Sequence, residues 1–268
     1  MTAATPRSAW STALVTGASS GIGRAIVRRL AAEGTDIVAV ARDPARLEAL
    51  AADLTDAGAG GVEVEVLVAD LADPDDLRRV EERAADPERP IDLVVNNAGF
   101  GTYGDFAGLD VDGEEREIAV NVTAVVRLTH AALGAMLARG RGAVMNVSSV
   151  AGLQATPGNA TYGATKAFVA SFGEAVAGEL AGSGVTLTTV LPGFTRTEFQ
   201  ERAGIAGREI PGPAWMSAED VAAQALAAAR TGRPWLVPGA LNKALVAAAG
   251  PVPRSLKRRL AARFARRL

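Results

Sequence analysis

Cysteine is absent from the 268 residues of this chain, and histidine occurs once, as His130. The first absence excludes disulfides, a thiolate nucleophile and a cysteine metal site. One histidine cannot build the usual ligand set of a zinc site, so we expect no metal. His130 lies inside a helical pattern at 127–133, which predicts an ordinary packed or surface helix residue.

Long apolar runs and a strong overall charge are lacking as well. No apolar run reaches the 18 residues typical of a membrane span, and the N-terminus lacks a charged-then-apolar signal pattern. We therefore expect a cytoplasmic protein. The net charge is −2, but residues 254–268 carry seven basic side chains and no acid, so the remainder is acidic. An acidic body argues against nucleic-acid binding.

The chain does contain a regular alternation of short β-rich runs and longer amphipathic stretches. The predicted strands are 13–15, 37–41, 64–68, 91–95, 143–147, 185–191 and 234–237. The predicted helices are 21–33, 44–57, 74–85, 113–138, 160–182 and 218–230. Strands that are apolar on both faces and alternate with helices indicate an α/β fold, a parallel sheet covered by helices. The alternation shows no boundary, which predicts a single domain over residues 1–237.

Three helix starts carry capping signals. Asp43 and Asp73 each precede a proline, which is the arrangement of an N-cap acid before proline at the first helical position. Ser217 has the same role before the last predicted helix. Between these helices, a long segment rich in glycine and proline, about 195–216, predicts a functional lid. Its apolar side chains are candidates for a pocket wall, although simple packing explains them about as well: Phe199, Ile205, Ile210, Trp215 and Met216.

A glycine cluster follows the first predicted strand and opens a helix, as Thr16-Gly17-Ala-Ser-Ser-Gly21-Ile-Gly23. Such glycines permit a tight turn and let backbone N–H groups approach a pyrophosphate at the helix N-terminus. The same letters spell the nucleophile elbow of an α/β-hydrolase centred on Ser19. That alternative needs a histidine on a late loop, and His130 is badly placed for it.

Tyr162 and Lys166 are four residues apart, so on a helix they stand one turn apart on one face. An ammonium beside a phenol favours the phenolate, so we expect Lys166 to lower the pKa of Tyr162. Work near neutral pH requires a drop of roughly two to three units. The alternative is a buried tyrosine with a lysine extending past it on an ordinary helix.

Four motifs in order resemble the single-domain subgroup of the short-chain dehydrogenase/reductase family. They are the glycine cluster 16–23, Asn96-Asn97-Ala98-Gly99, Ser149 with Tyr162-x-x-x-Lys166, and Pro192-Gly193. The resemblance runs from about residue 12 to 237. It implies a Rossmann-like, doubly wound sheet of about seven strands with helices on both faces, and a nicotinamide cofactor.

The resemblance also implies roles for individual residues. Tyr162 is then the general acid/base, Lys166 lowers its pKa and binds the nicotinamide ribose, and Ser149 hydrogen-bonds the substrate carbonyl. Asn121 holds a proton-relay water, Asp70 contacts adenine, and Thr197 reaches the carboxamide. The full expected cofactor-binding set is Gly17, Ser19, Ser20, Gly21, Ile22, Gly23, Arg42, Asp70, Leu71, Asn97, Ala98, Gly99, Tyr162, Lys166, Pro192, Gly193, Thr195 and Thr197.

Two serines compete for the catalytic role. The family places its serine thirteen residues before the tyrosine in the motif Ser-x-x-Gly, and Ser149-Val-Ala-Gly152 fits both spacings. Ser148 fits neither, so we assign it to supporting the strand end.

The end of the second strand bears on the choice of cofactor. An acid there would bind the ribose hydroxyl of NAD, but the position in family register is Ala41 and Arg42 follows. A guanidinium suits a 2′-phosphate. Asp43 argues for NAD, but it has another role available as a helix N-cap. We expect NADP(H) to be preferred, with NAD(H) possible.

The segment after the last predicted strand, residues 238–268, predicts a basic helical extension. Its apolar stripe recurs every four residues at Leu256, Leu260, Phe264 and Leu268. Contact of 254–268 with an anionic membrane, docking on a partner chain and a solvated terminus remain alternatives. A homodimer or homotetramer is an expectation from the family resemblance.

Together these features predict an NADP(H)-dependent oxidoreductase that interconverts a ketone or aldehyde and an alcohol, with an apolar small molecule as substrate. An alternative is a sensor or scaffold that holds NADP(H) without turnover. The serine of the motif disfavours it, since a pure binder has no need of that group.

Overall fold

A computed structural model describes residues 9–56, 61–203 and 212–249. Seven strands form one parallel sheet in the order β3-β2-β1-β4-β5-β6-β9. Their bounds are Thr12–Thr16 (β1), Asp36–Ala41 (β2), Val64–Val68 (β3), Leu93–Asn96 (β4), Gly142–Val147 (β5), Val185–Val190 (β6) and Trp235–Leu236 (β9). The predicted doubly wound sheet is confirmed. Two short strands, Thr195–Arg196 (β7) and Met216–Ser217 (β8), pair separately in parallel.

Helices cover both faces of the sheet. Those described are Gly21–Ala32 (α1), Pro44–Asp56 (α2), Pro74–Ala85 (α3), Val111–Ile118 (α4), Ala124–Arg139 (α5), Ala160–Glu179 (α6), Phe199–Arg202 (α7), Ala218–Arg230 (α8) and Ala240–Ala249 (α9). One apolar core lies between the sheet and α1, α2 and α8, and a second lies between the sheet and α3, α5 and α6. The strands β1, β2, β4, β5 and β6 are buried between these two cores, which explains their apolar runs, whereas the edge strand β3 is only partly buried.

The capping signals correspond to caps in the structure. Asp73 accepts hydrogen bonds from the N–H groups of Asp75 and Asp76, and Ser217 accepts one from Asp220. Asp43 accepts one from the N–H of Arg46 at 3.1 Å. These bonds satisfy N–H groups that the first turn of a helix leaves without a partner.

The helix predicted over 113–138 runs from Val111 to Arg139 and contains a π-type segment at Ala119–Thr123. This helix is long and apolar enough to cross a bilayer by length and composition. It is also a core helix, because Leu128, Ala132 and Met136 pack against the sheet. The π-type segment contains Asn121, where a local change of winding alters the direction of the side chain.

Two predicted features lie partly or wholly outside the described residues. The lid is described to Ala203 and again from Gly212, so Ile205 and Ile210 fall in the gap. The amphipathic basic helix at 254–268 falls beyond residue 249, and its role stays a prediction. Within the extension, α9 is described, and the side chain of Asn242 donates to the carbonyl of Pro238 at 3.1 Å.

Candidate active site

The glycine turn between β1 and α1 forms one end of the site. Gly17 and Gly21 have φ values of 65° and 52°, which favour glycine. Gly23 is needed for a different reason: a Cβ there would lie 2.3 Å from the carbonyl oxygen of Gly17. The close packing of helix on turn therefore admits no side chain at Gly23.

The turn is braced by the end of β4. The Thr16 hydroxyl accepts hydrogen bonds from the N–H groups of Asn97 and Ala98, both at 3.0 Å, and donates to Val95. The Asn97 side chain donates in turn to the carbonyl oxygen of Thr16 at 2.9 Å. Asn97 thus fixes the turn through its side chain, a contact that the sequence alone did not predict.

A second glycine brings the candidate catalytic serine toward the tyrosine. A Cβ on Gly152 would lie 2.6 Å from the backbone of Lys166 and Ala167, so the turn after β5 packs directly on α6. Ser149 precedes that turn: its hydroxyl accepts from the N–H of Ala151 at 3.1 Å and donates to the carbonyl of Pro192 at 3.5 Å, and it lies close enough to Tyr162 to lower the pKa of the phenol. The Ser-x-x-Gly motif is thus a steric requirement of this contact.

Ser148 has the supporting position expected of it. Its hydroxyl is buried and donates to the backbone carbonyl of Lys166 at 2.6 Å. The Lys166 ammonium donates to the carbonyl of Val147 at 3.0 Å. These two bonds tie the end of β5 to α6 and leave Ser149 as the serine beside the phenol.

The electrostatics of Tyr162 differ from the expectation. Burial raises the pKa of Tyr162 to about 12; the hydrogen bond with Ser149 lowers it, and the charge of Glu117 raises it. Burial also lowers the pKa of Lys166 to about 8, opposed by the charge of Glu117. The expectation that Lys166 lowers the pKa of Tyr162 is therefore wrong for the protein without cofactor, because removal from water dominates both groups.

Asn121 lies behind this pair. Its side chain accepts from the N–H of Phe100 at 3.2 Å and donates to the carbonyl of Phe100 at 2.8 Å and to Thr165 at 3.1 Å. The amide is fully buried and is used to hold the loop after β4 against α6. Both N–H groups of this amide are used in these bonds, so a relay water can reach the side chain of Asn121 only at the second lone pair of Oδ1.

A single cavity of about 1300 Å³ joins these groups. Of the expected cofactor-binding residues, all but Gly23 line it, and Gly23 instead permits the helix packing described above. Ser149, Tyr162 and Lys166 also line it, whereas Asn121 lies outside its wall. The structure therefore brings nearly the whole predicted set to one surface.

The end of the cavity near β2 carries the groups expected to set cofactor choice. Arg42, Asp43 and Arg46 all line it. Arg46 pairs with Glu198 of the lid at 2.7 Å and with Asp43 at 3.4 Å. The sequence interpretation missed Arg46, although it stands one helical turn after Arg42. Asp70 is bonded to Arg116 and accepts from the N–H of Ala72.

The opposite end, beyond Tyr162, is lined by residues that the sequence interpretation missed. Of the residues that line this end, only Phe199 was predicted from the sequence as part of the wall, and its ring packs on Tyr162 with centroids 5.3 Å apart. Trp215 packs instead on Phe194, and neither Trp215 nor Met216 is among the described residues of the wall. The remaining wall residues there include Gly101, Thr102, Tyr103, Gln154, Thr156, Asn159, Phe194 and Gln200.

Gly101 is the residue in the sequence from which this part of the wall could have been predicted. A Cβ there would lie 2.8 Å from the Tyr162 ring, so this glycine permits the loop to pass over the phenol. The hydrolase alternative finds no support in the described residues. His130 is exposed on α5 and does not line the cavity that contains Ser19.

Comparison with known proteins settles the family. Residues 11–205 match the family model described as short chain dehydrogenase. The chain belongs to the short-chain dehydrogenase/reductase family. Oxidoreductase UcpA of Escherichia coli (strain K12) is 36% identical over 191 residues, covering 71% of this chain and 71% of that protein.

Two solved structures show the same fold over nearly the whole chain. A short-chain dehydrogenase from Sphingobium yanoikuyae, in complex with NADPH, has 40% identity and a TM-score of 0.78, covering 90% of this chain and 96% of that one. The bulky-bulky ketone specific alcohol dehydrogenase from Comamonas testosteroni has 31% identity and a TM-score of 0.76, covering 91% and 96%. This short-chain dehydrogenase/reductase is an NAD(P)-dependent oxidoreductase.

The residues present fit a dinucleotide. Ser20 occupies the N-cap of α1 but makes no side-chain cap bond within the described chain, so the first-turn N–H groups stay available. Ser19, Gly21 and Ile22 at this turn line the cavity. Uncapped N–H groups and the positive end of the helix dipole are the features that bind a pyrophosphate.

Proposed function

We propose that this protein interconverts an apolar ketone and a secondary alcohol, with NADP(H) preferred and Tyr162 as general acid/base. The observation that carries the proposal is the placement of Tyr162. Its phenol lies beside Ser149, where the cavity passes from the glycine turn to the wall that contains Phe199. A substrate carbonyl held between this wall and the nicotinamide would meet both hydroxyl groups.

A reduced nicotinamide held in this cavity would supply the hydride for the carbonyl carbon. The Ser149 hydroxyl donates a hydrogen bond to the carbonyl oxygen and fixes its direction, and the Tyr162 hydroxyl gives that oxygen its proton. Burial raises the pKa of Tyr162 to about 12, so the phenol holds the proton that it would donate. Lys166, anchored to Val147, lines the cavity beside the phenol, where an ammonium can donate to a ribose hydroxyl.

The preference for NADP(H) rests on the charges after β2. Arg42 is exposed at the cavity and follows Ala41, so no acid stands at the position that would bind a ribose hydroxyl. Asp43 caps α2 and pairs with Arg46, which partly occupies its carboxylate. A guanidinium matches a phosphate in charge and geometry. The NADPH bound by the Sphingobium protein agrees with this choice.

The substrate class follows from the wall beyond Tyr162. Phe194, Phe199 and Tyr103 give it aromatic surface, while Gln154 and Asn159 add a few polar groups. Such a mixture favours a largely apolar ligand oriented by few hydrogen bonds. The ketone specificity named for the Comamonas protein supports a search among ketones with large apolar substituents.

A direct test is a panel of ketones with NADPH and with NADH, read by the absorbance of the reduced nicotinamide. We expect the larger kcat/KM with NADPH. Arg42→Ala should lower kcat/KM with NADPH by about 10- to 100-fold, because it removes charged hydrogen bonds to one phosphate. The kcat/KM with NADH should not change. Arg24→Ala is the matched control, because Arg24 is exposed on α1 and does not line the cavity.

Equal or better efficiency with NADH would contradict the cofactor preference. The raised pKa of Tyr162 favours a second candidate, a protein that binds the dinucleotide without turnover. Tight NADPH binding with no reduction of any ketone or aldehyde in the panel would favour that candidate.

A further inference from the structure

Two buried acids on α4 have no part in the mechanism above. Glu114 and Glu117 have exposures of 4% and 0%, and their spacing places them on one face of the helix. Exposed acids on this helix, such as Glu115, need no explanation. Burying a carboxyl group costs free energy unless the group is well paired, so the burial of Glu114 and Glu117 does need an explanation.

The pair is held by two threonines. The backbone N–H of Thr102 and its hydroxyl contact Oε2 of Glu117 at 2.9 and 3.0 Å. The same hydroxyl contacts Oε1 of Glu114, and the Thr161 hydroxyl donates to Oε2 of Glu114. A hydroxyl has one proton, so Thr102 can donate to only one of the two carboxyl groups.

The cluster therefore has one hydrogen-bond donor fewer than its carboxyl oxygens could use. Oε1 of Glu117 has no hydrogen-bond partner in the described part of the chain. Burial raises the pKa of Glu117 and the Thr102 hydrogen bonds lower it, while the charge of Glu114 raises it and the charge of Lys166 lowers it.

The cluster touches the active site on two sides. Thr102 lines the cavity, and Thr161 immediately precedes Tyr162 on α6, against which α4 packs. The charge of Glu117 acts on Tyr162 and on Lys166 and raises the pKa of both. Glu114 is the other charged group that acts on Glu117. The charge of Glu117, and not that of Glu114, shifts the pKa of Tyr162 and of Lys166.

We propose that Glu117 is a positioning residue of the active centre: a buried countercharge, held with Glu114 by Thr102 and Thr161, that keeps a proton on the Tyr162–Lys166 pair. The proposal rests on the function proposed above. Two interacting groups lose protons in steps that belong to the pair. A nearby anion opposes the first step whichever group releases the proton, so the sign of its effect is fixed.

The first test uses the pH profile of alcohol oxidation, which needs Tyr162 as a base. Glu117→Gln, which keeps the shape and removes the charge, should move the rising limb of kcat/KM to lower pH by about half to one unit. Glu117→Met, a second neutral side chain of similar length, should move it the same way if the glutamine variant folds poorly.

Glu114→Gln is the matched control. It removes a carboxyl from the same cluster and the same helix face, so a merely structural role predicts the same result for both variants. For Glu114→Gln we expect the rising limb of the kcat/KM profile to stay at the same pH, even if the maximal rate changes. Glu115→Gln controls for net charge at the surface.

The second test requires no turnover. The chain has two tyrosines, so in a Tyr103→Phe background the tyrosinate absorbance reports Tyr162 alone. Rapid pH jumps, read before any unfolding, should show Tyr162 ionising at lower pH when Glu117→Gln is added. An unchanged titration, or an equal shift with Glu114→Gln, would overturn the proposal. A shift without ketone reduction would keep it and refute the proposed function.

Discussion

The two ends of the cavity are built on different principles. The nucleotide end is made of backbone: Gly17, Gly21 and the open first turn of α1 line it, and steric fit decides which residues are allowed. The catalytic end is made of ionisable groups brought together by α4 and α6: Lys166, Glu114 and Glu117 are buried, and Tyr162 is partly buried. The first end is therefore sensitive to added atoms, and the second is sensitive to charge.

This difference has a cost in stability. Backbone N–H groups at a helix start need no charge and are stabilised when they bind an anion. A buried ammonium or carboxylate is costly before any ligand arrives. We therefore expect substitutions at the two ends to have different effects. Variants at the nucleotide end should lose stability, and some variants at the catalytic end should gain stability while losing activity.

The largest effect should come from Gly23→Ala. The new Cβ would lie 2.3 Å from the Gly17 carbonyl oxygen, so helix and turn must separate, and we expect a loss of about 3 kcal/mol in unfolding free energy. Gly178→Ala is the control, since it lies on α6 with nothing within 4 Å, and should gain up to about 1 kcal/mol. Denaturant titration measures both; equal stability of the two variants would contradict the steric account.

A smaller effect of opposite sign should come from Lys166→Met. Burial lowers the pKa of Lys166 to about 8 from 10.5, so the folded protein pays for the ammonium at neutral pH. We expect unfolding free energy to rise by about 1–2 kcal/mol at pH 7, after the lost bond to Val147 is subtracted. Activity should fall. Lys243→Met, on an exposed position of α9, should change neither.

The pH dependence of that gain follows from the direction of the shift. Below about 8 the lysine is charged in both the folded and unfolded protein, so the full cost is present. As pH rises through 8 toward 10.5, the unfolded state holds more protons than the folded one and the wild type regains stability. The gain should therefore shrink over that interval. A gain that grows with pH would show that desolvation of Lys166 is not its cause.

The same comparison explains how much the sequence could reveal. The nucleotide end was predictable because glycine positions and N-cap residues follow local backbone rules, as at Gly17, Gly21 and Asp73. The doubly wound sheet followed from strands that are apolar on both faces. Ser149 was separable from Ser148 by spacing, and Gly152 supplies the physical reason.

The catalytic end was less predictable because its properties depend on tertiary burial. Tyr162 and Lys166 were identified, but the direction of the Tyr162 shift was not, since spacing says nothing about removal from water. Nothing in the local sequence distinguishes Glu117 from the other acids of its helix, such as Glu115. Glu117 is buried because the loop that carries Thr102 passes over α4, and this tertiary contact is not visible in the sequence. The Arg46–Glu198 pair joins residues 152 positions apart, beyond any local pattern.

The central claim, that Tyr162 supplies the proton for carbonyl reduction, is tested most directly by Tyr162→Phe. NADPH affinity is measured by nicotinamide fluorescence, and reduction of the best ketone of the panel is measured under saturating NADPH. We expect the affinity to stay within a few-fold and the rate to fall by about 10²- to 10⁴-fold, as for loss of a general acid. Tyr103→Phe, the same change on the other tyrosine, should cost far less. Full activity of Tyr162→Phe would contradict the account.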